Sequence, residues 1–105
     1  MHARVTKFEG SPDQAETFIK YTKESIIPAA KKLSGFKGGY WLLDRKSGKG
    51  LSVTLFESEA ALKASEDTAA QMRTQATQSV GAKITGVDRY EVVAEVASVP
   101  AMVSR

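Results

Sequence analysis

The chain contains no cysteine and no asparagine, and its single histidine, His2, stands at the very start. Without cysteine there is no disulfide, no thiolate nucleophile and no cysteine-ligated metal. One histidine near a chain end offers no pair to hold a metal, and the acidic residues follow neither HExxH nor DxDxDG spacing. No metal is expected. Gly38-Gly39 and Gly48-Lys49-Gly50 lack the strand-to-helix setting and the Lys-Ser/Thr of a phosphate loop, and read as strand and turn glycines. Long apolar runs are missing too. The first ten residues carry no apolar signal core, and no stretch approaches membrane-spanning length. No membrane partner is expected, and a cytoplasmic location is the default. Blocks of one charge are also absent. The net charge is +3, from 15 Lys+Arg against 12 Asp+Glu. Lys20, Lys23, Lys31 and Lys32, with Arg45, Lys46 and Lys49, are interrupted by Glu16, Glu24 and Asp44. Without surface aromatics for base stacking, no nucleic acid is expected as partner.

What remains is ordinary for one globular domain: 105 residues, 42% hydrophobic and 26% charged. The most informative stretch is residues 35–62, GFKGGYWLLDRKSGKGLSVTLFESEAAL. Residues 40–44 and 51–57 are rich in aromatic, leucine and β-branched residues, which suit strands. The polar segment between them, with Gly48 and Gly50, suits a chain reversal. Alternation puts Tyr40 and Leu42 on one face and Trp41 and Leu43 on the other. Leu51, Val53 and Leu55 share one face, and Ser52, Thr54 and Phe56 the opposite one. Large apolar groups on both faces mean that both need covering.

Around this hairpin the other elements follow in order. Residues 2–9 alternate as a first strand, with Arg4, Thr6 and Phe8 on one side. Ser11-Pro12-Asp13-Gln14 reads as a helix start: Ser11 as cap, Pro12 at the first helical position, Gln14 completing a capping box. Ala15, Phe18, Ile19, Thr22, Ile26, Ala29, Ala30 and Leu33 recur at helical spacing. Pro28 falls inside that pattern, which predicts a kink or break near residues 25–27. Gly35 suits a left-handed cap. Ser58 caps a second helix, with Glu59 at its positive end and Leu62, Ser65, Ala69, Met72, Ala76 and Val80 on its buried face. Gly81 ends it. Residues 83–96 form a last strand, with Ile84, Tyr90 and Val92 set against Val87 and Val93.

The order β-α-β-β-α-β is the ferredoxin-like arrangement: α+β, with two helices over one face of a four-stranded antiparallel sheet. The expected domain spans residues 1–96, with residues 97–105 as a C-terminal tail. Two helices cover one face only. A second copy packed sheet to sheet would cover the other, so a homodimer through the sheet face is expected.

These residues resemble the dimeric α+β barrel proteins grouped as antibiotic-biosynthesis monooxygenase-like domains. The resemblance rests on Pro28, Gly35-Phe36, Gly38-Gly39, Asp44-Arg45 with Ser47-Gly48, residues 51–58 running into the second helix, and Arg89-Tyr90-Glu91. It covers residues 2–95. It implies a cofactor-independent monooxygenase-like protein, with no cofactor, acting on a small hydrophobic aromatic molecule of phenol or quinone type. The haem-degrading branch looks for an Asn on the first strand and Trp and His near the second helix, and this chain has neither. The asparagine used by the oxygenase branch is missing as well. The alternative is a non-enzymatic homodimeric barrel that binds an apolar small ligand or serves as a structural module.

Within that frame the aromatic set is the best lead to a site, in a pocket between the helices and the concave sheet. Tyr21, Tyr40, Trp41, Phe56, Arg89 and Tyr90 are the candidate substrate-binding residues. Tyr21 lies off the main apolar stripe, just ahead of the Pro28 disturbance. Tyr40 and Trp41 are rivals for one role, because alternation does not say which strand face lines the pocket. Arg89 or Arg45 would balance an anionic ligand. No catalytic acid–base pair stands out.

Overall fold

The computed structural model describes residues 1–96; the tail expected over residues 97–105 lies outside the described residues. Strands β1 (His2–Glu9), β2 (Phe36–Leu43), β3 (Lys49–Phe56) and β4 (Lys83–Glu91) form one antiparallel sheet in the order β2-β3-β1-β4. This is the ferredoxin-like α+β fold. Helices α1 (Ala15–Tyr21) and α2 (Ile27–Lys31) follow β1, and α3 (Glu59–Ala64) and α4 (Glu66–Val80) follow β3.

Sequence pattern and backbone agree closely in the central hairpin. Tyr40 pairs with Val53 and Leu42 with Leu51, so these four share one face of the sheet. Trp41 pairs with Ser52, putting both on the other face, with Thr54 and Phe56. On β1, Arg4 stands opposite Thr54 and Val5 opposite Val53. Arg4, Thr6 and Phe8 therefore share the face with Trp41, Ser52 and Thr54. Helices cover that face, and we call it the inner face.

The last strand departs from the expected alternation. Its pairing with β1 shifts between Lys7 and Phe8, so that Phe8 meets Ile84 while Thr6 meets Val87. The bulge inserts one extra residue and flips the parity of everything after it. Ile84, Val87 and Arg89 end up on the inner face, while Tyr90, opposite Ala3, lies on the outer one. The grouping of Ile84 with Tyr90 is thus corrected. The strand also ends at Glu91 rather than running to residue 96, and Val93 and Val96 are exposed beyond it.

The helical connections obey most of their end signals. Helix α2 ends at Lys31 with Lys32 as its cap, so Gly35, at φ 77°, lies in the turn beyond the helix instead of capping it. Three refinements are added. Ser11 caps a 3₁₀ turn (Pro12–Gln14) by accepting from the Asp13 N–H, and Gln14 makes no capping side-chain bond to the next helix. The Pro28 disturbance takes the form of a π-helical turn over Thr22–Ile26. The wider turn lets the helix absorb a residue that has no N–H and whose ring collides with the carbonyl four residues earlier. The second helix is cut in two at Ser65. Arg4 of β1 donates through Nη2 to the Leu62 carbonyl at 3.1 Å and to Ser65 Oγ at 2.8 Å. A side chain entering the helical ladder is a recognised cause of a break. Ser58 caps α3 by accepting from Ala61 N–H at 3.1 Å, and Gly81 ends α4 in the left-handed region at φ 70°.

Candidate functional site

The inner face and its helices do not close completely. Between them lies a cavity of about 90 Å³. Its apolar wall comes from Phe8, Phe18, Ile26, Trp41, Met72 and Ile84. Phe8 and Phe18 stack at a tilt with centroids 4.8 Å apart, joining β1 to α1 beside the cavity. Trp41 is held against the sheet because its neighbour is Gly39: a Cβ there would lie 3.1 Å from the indole ring and 2.8 Å from the Val53 carbonyl oxygen. The polar lining is sparse. Thr6, Ser52, Thr54 and Thr77 contribute hydroxyls, and two arginines, Arg4 and Arg73, contribute charge.

The arginines carry the electrostatics. Arg4 is only 3% exposed. Its guanidinium is pinned by the Leu62 carbonyl and Ser65 Oγ, contacts Glu66 Oε2 at 3.2 Å, and stands 5.3 Å from the centre of the Phe56 ring. Its Nε–H is buried without a partner. Arg73, on α4, has a buried Nη1 that is likewise unpartnered. Burial, then the nearby charge of Arg4, press the Arg73 guanidinium toward losing its proton, so its pKa lies below the usual arginine value. Glu66 opens α4 and binds Arg89 in a fork, with Nη2 to Oε1 at 2.7 Å and Nε to Oε2 at 2.9 Å. The Arg89 hydrogen bonds, joined by Arg4, hold the Glu66 carboxyl at a pKa of about 2, well below its usual 4.5. Arg4 and Arg89 share one carboxylate, Arg73 stands within reach of its charge without a bond to it, and the cavity wall has positive charge to spare.

The six residues expected at the site fall in four places. Trp41 lines the cavity. Phe56 and Arg89 lie on the same face but outside it: Phe56 is wholly buried against Phe36, with ring centres 6.0 Å apart, and Arg89 is committed to Glu66. Tyr21 is half-buried at the end of α1 and is not among the cavity-lining residues. Tyr40 and Tyr90 sit on the outer face, 62% and 54% exposed, across the sheet from the cavity. The rivalry between Tyr40 and Trp41 for the inner pocket is thereby resolved in geometry. Arg45 pairs with Glu16 at the surface. Reading by residue type passed over Arg4, Arg73 and Glu66. A signal existed for two of them: Arg4 alternates in step with Thr6 and Phe8, and Arg73 stands four residues after Ala69, beside the buried stripe of α4.

An aromatic-walled cavity between the sheet and helices of a ferredoxin-like domain, with charge held at one wall, is the setting in which the comparisons fall. Residues 1–77 match the family model for antibiotic biosynthesis monooxygenase, and the chain belongs to that family. It is 29% identical over 76 residues to the uncharacterized protein Rv2558 of Mycobacterium tuberculosis (strain ATCC 25618 / H37Rv), covering 72% of this chain and 32% of the relative. The chain therefore spans about a third of that relative's length. Among solved structures it resembles HapK from Hahella chejuensis, with a TM-score of 0.74 at 14% identity, covering 95% of this chain and all of that one. It also resembles SnoaB, a cofactor-independent oxygenase from Streptomyces nogalater, with a TM-score of 0.65 at 13% identity over 92% of this chain and 97% of that one. At such identities the structural likeness speaks for the fold alone.

Proposed function

We propose that the chain is a cofactor-independent monooxygenase-like enzyme acting on a small hydrophobic aromatic molecule of phenol type. The observation that carries this reading is the cavity itself: an apolar wall with Trp41, Phe8 and Phe18, faced by the guanidiniums of Arg4 and Arg73. Positive charge in a low-dielectric wall favours the phenolate over the phenol, and the phenolate is the electron-rich form that reacts with O₂. The stoichiometry needs no outside reductant. A phenol with a free ring C–H takes up O₂, one oxygen atom becomes the second carbonyl of a quinone, and the other leaves as water with the O–H and C–H hydrogens. Trp41 and Phe18 would hold the ring flat and keep bulk water away.

Trp41→Phe removes the indole and keeps an aromatic ring, so it tests the site with little threat to the fold. Oxygen uptake with phenols that carry a free ring C–H should fall about tenfold in the variant, the scale of a positional loss at a reacting centre. Unchanged uptake removes Trp41 from the site. Among the described residues the cavity lining includes neither a carboxylate nor a histidine, and this favours a second reading. In it the protein is a non-enzymatic barrel that binds an apolar ligand in the same place; saturable ligand binding with no oxygen uptake across a phenol panel selects it. Under either reading the outer face pairs with a second copy. Tyr40, Leu42 and Tyr90 are exposed there beside Leu51, Val53 and Leu55, an apolar surface suited to a two-fold contact.

A further inference from the structure

The inner cavity holds more positive charge than a phenolate balances. Arg73 feels three charged neighbours, Arg4, Arg89 and Glu66. With Arg73 itself that makes three cations and one anion. Arg89 and Glu66 satisfy each other in the bidentate fork. Arg4, although pinned through Nη2, leaves its Nε–H buried and unbonded, and Arg73 leaves Nη1 in the same condition. Buried donors without acceptors are rare, because each forfeits its hydrogen bonds to water. Both arginines also line one cavity, so the surplus positive charge of the pair borders a space that an anion can enter. Arginine forks match carboxylates well in shape and charge.

Cavity size narrows the ligand further. At about 90 Å³ the space is smaller than the ~150 Å³ apolar cavity that accommodates benzene. One ring, seated partly in the open mouth, is the aromatic unit that this space suits.

We propose that the cavity takes a single-ring aromatic carboxylate, its carboxylate bound between Arg4 and Arg73 and its ring laid against Trp41 and Phe18. The proposal rests on the reading of this cavity as the substrate pocket, and it names the substrate class for that pocket. A hydroxybenzoate fits both statements: the carboxylate anchors it, and the ring hydroxyl supplies the oxidisable phenol.

Trp41 is the chain's one tryptophan, so its fluorescence reports entry into the cavity without a label. The unaltered chain is titrated with benzoate and with benzamide, which has the same ring and no charge. Benzoate should quench saturably and bind at least about tenfold more tightly than benzamide, the ratio expected of a charge-assisted hydrogen bond. Arg73→Met, which keeps the apolar stem of the side chain and removes the guanidinium, should lose that advantage while binding benzamide within about twofold of the original, since apolar contacts are retained. Equal binding of the two ligands by the unaltered chain overturns the proposal, as does undiminished benzoate affinity in Arg73→Met. Oxygen uptake separates this from the oxygenase reading. Arg73-dependent benzoate binding without uptake from any hydroxybenzoate keeps the anion site and removes the oxygenase. Uptake from neutral phenols with no benzoate binding does the reverse.

Discussion

On the inner face of the sheet, Phe8, Trp41 and Ile84 share space with two arginines, four hydroxyl side chains (Thr6, Ser52, Thr54 and, from α4, Thr77) and an unfilled volume. On the outer face, Val5, Leu42, Leu51, Val53 and Tyr40 stand beside one another, and its charges, the Lys7–Asp88 pair at 3.7 Å and Glu9, Lys49 and Lys83 at one end, are exposed. Both faces are apolar, but they treat charge differently. The outer face keeps its ions in water, where a pair contributes little. The inner face takes Arg4 to 3% exposure and must hold it with a carbonyl, a hydroxyl, a carboxylate and an aromatic ring. Burying a guanidinium is costly and is not needed to make a core. The proposed ligand pocket rests on this property of the inner face, and the proposed contact with a second copy on the apolar, ion-exposing outer face.

The largest effect should come from breaking the charge network of the inner face. Glu66→Gln removes the carboxylate that Arg4 and Arg89 share, leaving Arg4 buried with its neutral partners only. A loss of about 2–3 kcal/mol in urea unfolding is expected, toward the lower end for a buried pair because Glu66 keeps some contact with water. Asp88→Asn, the matching change on the outer face, should cost under about 0.5 kcal/mol. Equal costs for the two would mean that the faces do not differ in the way the charges suggest.

A smaller effect tests the outer face. Leu42 is 50% exposed in the single chain and becomes buried if the sheets pair. Leu42→Lys should weaken self-association by about tenfold or more, from the lost burial of half a leucine side chain with the cost of an added charge. Sedimentation equilibrium reads the change, and circular dichroism should find the fold intact. Trp41→Phe, one position away in sequence but on the other face, should leave association unchanged. If Trp41→Phe dissociates the assembly and Leu42→Lys does not, the two faces have been assigned the wrong way round.

Much of this contrast was legible before any coordinates. Period-two alternation separates Tyr40 and Leu42 from Trp41, and Ser58 and Gly81 mark helix ends that the structure keeps, whereas Gly35, with φ 77°, serves the turn before β2 rather than the end of α2. Pro28 announced a disturbance, and the π turn lies just ahead of it. Alternation alone does not say which face the helices cover, so Tyr40 and Trp41 stayed equivalent. Tyr90 was misplaced for a different reason: a one-residue bulge between β1 and β4 leaves no mark in hydrophobic pattern, yet it reverses every side chain beyond it. Arg4 and Arg73 escaped because an arginine in an amphipathic element ordinarily points to water. The burial of Arg4 depends on Leu62, Ser65 and Glu66, some sixty residues away, and only the folded chain brings those acceptors to it.

The smallest expected effect is in acid, and it again divides the faces. Glu66 has a pKa of about 2 in the folded chain against 4.5 ordinarily, chiefly because Arg89 hydrogen-bonds its ionised form and Arg4 adds to this. A carboxyl with a depressed folded pKa contributes stability that is fully present above the unfolded value, here above pH 4.5. That contribution is lost as pH falls from 4.5 toward 2, because the unfolded chain binds the proton first. Solvent screening at this half-buried site reduces it to about 1 kcal/mol. Urea midpoints taken at steps between neutral pH and pH 2 should therefore decline across that window for the unaltered chain and for Asp88→Asn. In Glu66→Gln the group that titrates is gone, so this part of the decline should flatten while the starting stability is lower. A decline of the same steepness in Glu66→Gln would place the acid sensitivity in other carboxylates and remove Glu66 as the titrating link between Arg4 and Arg89.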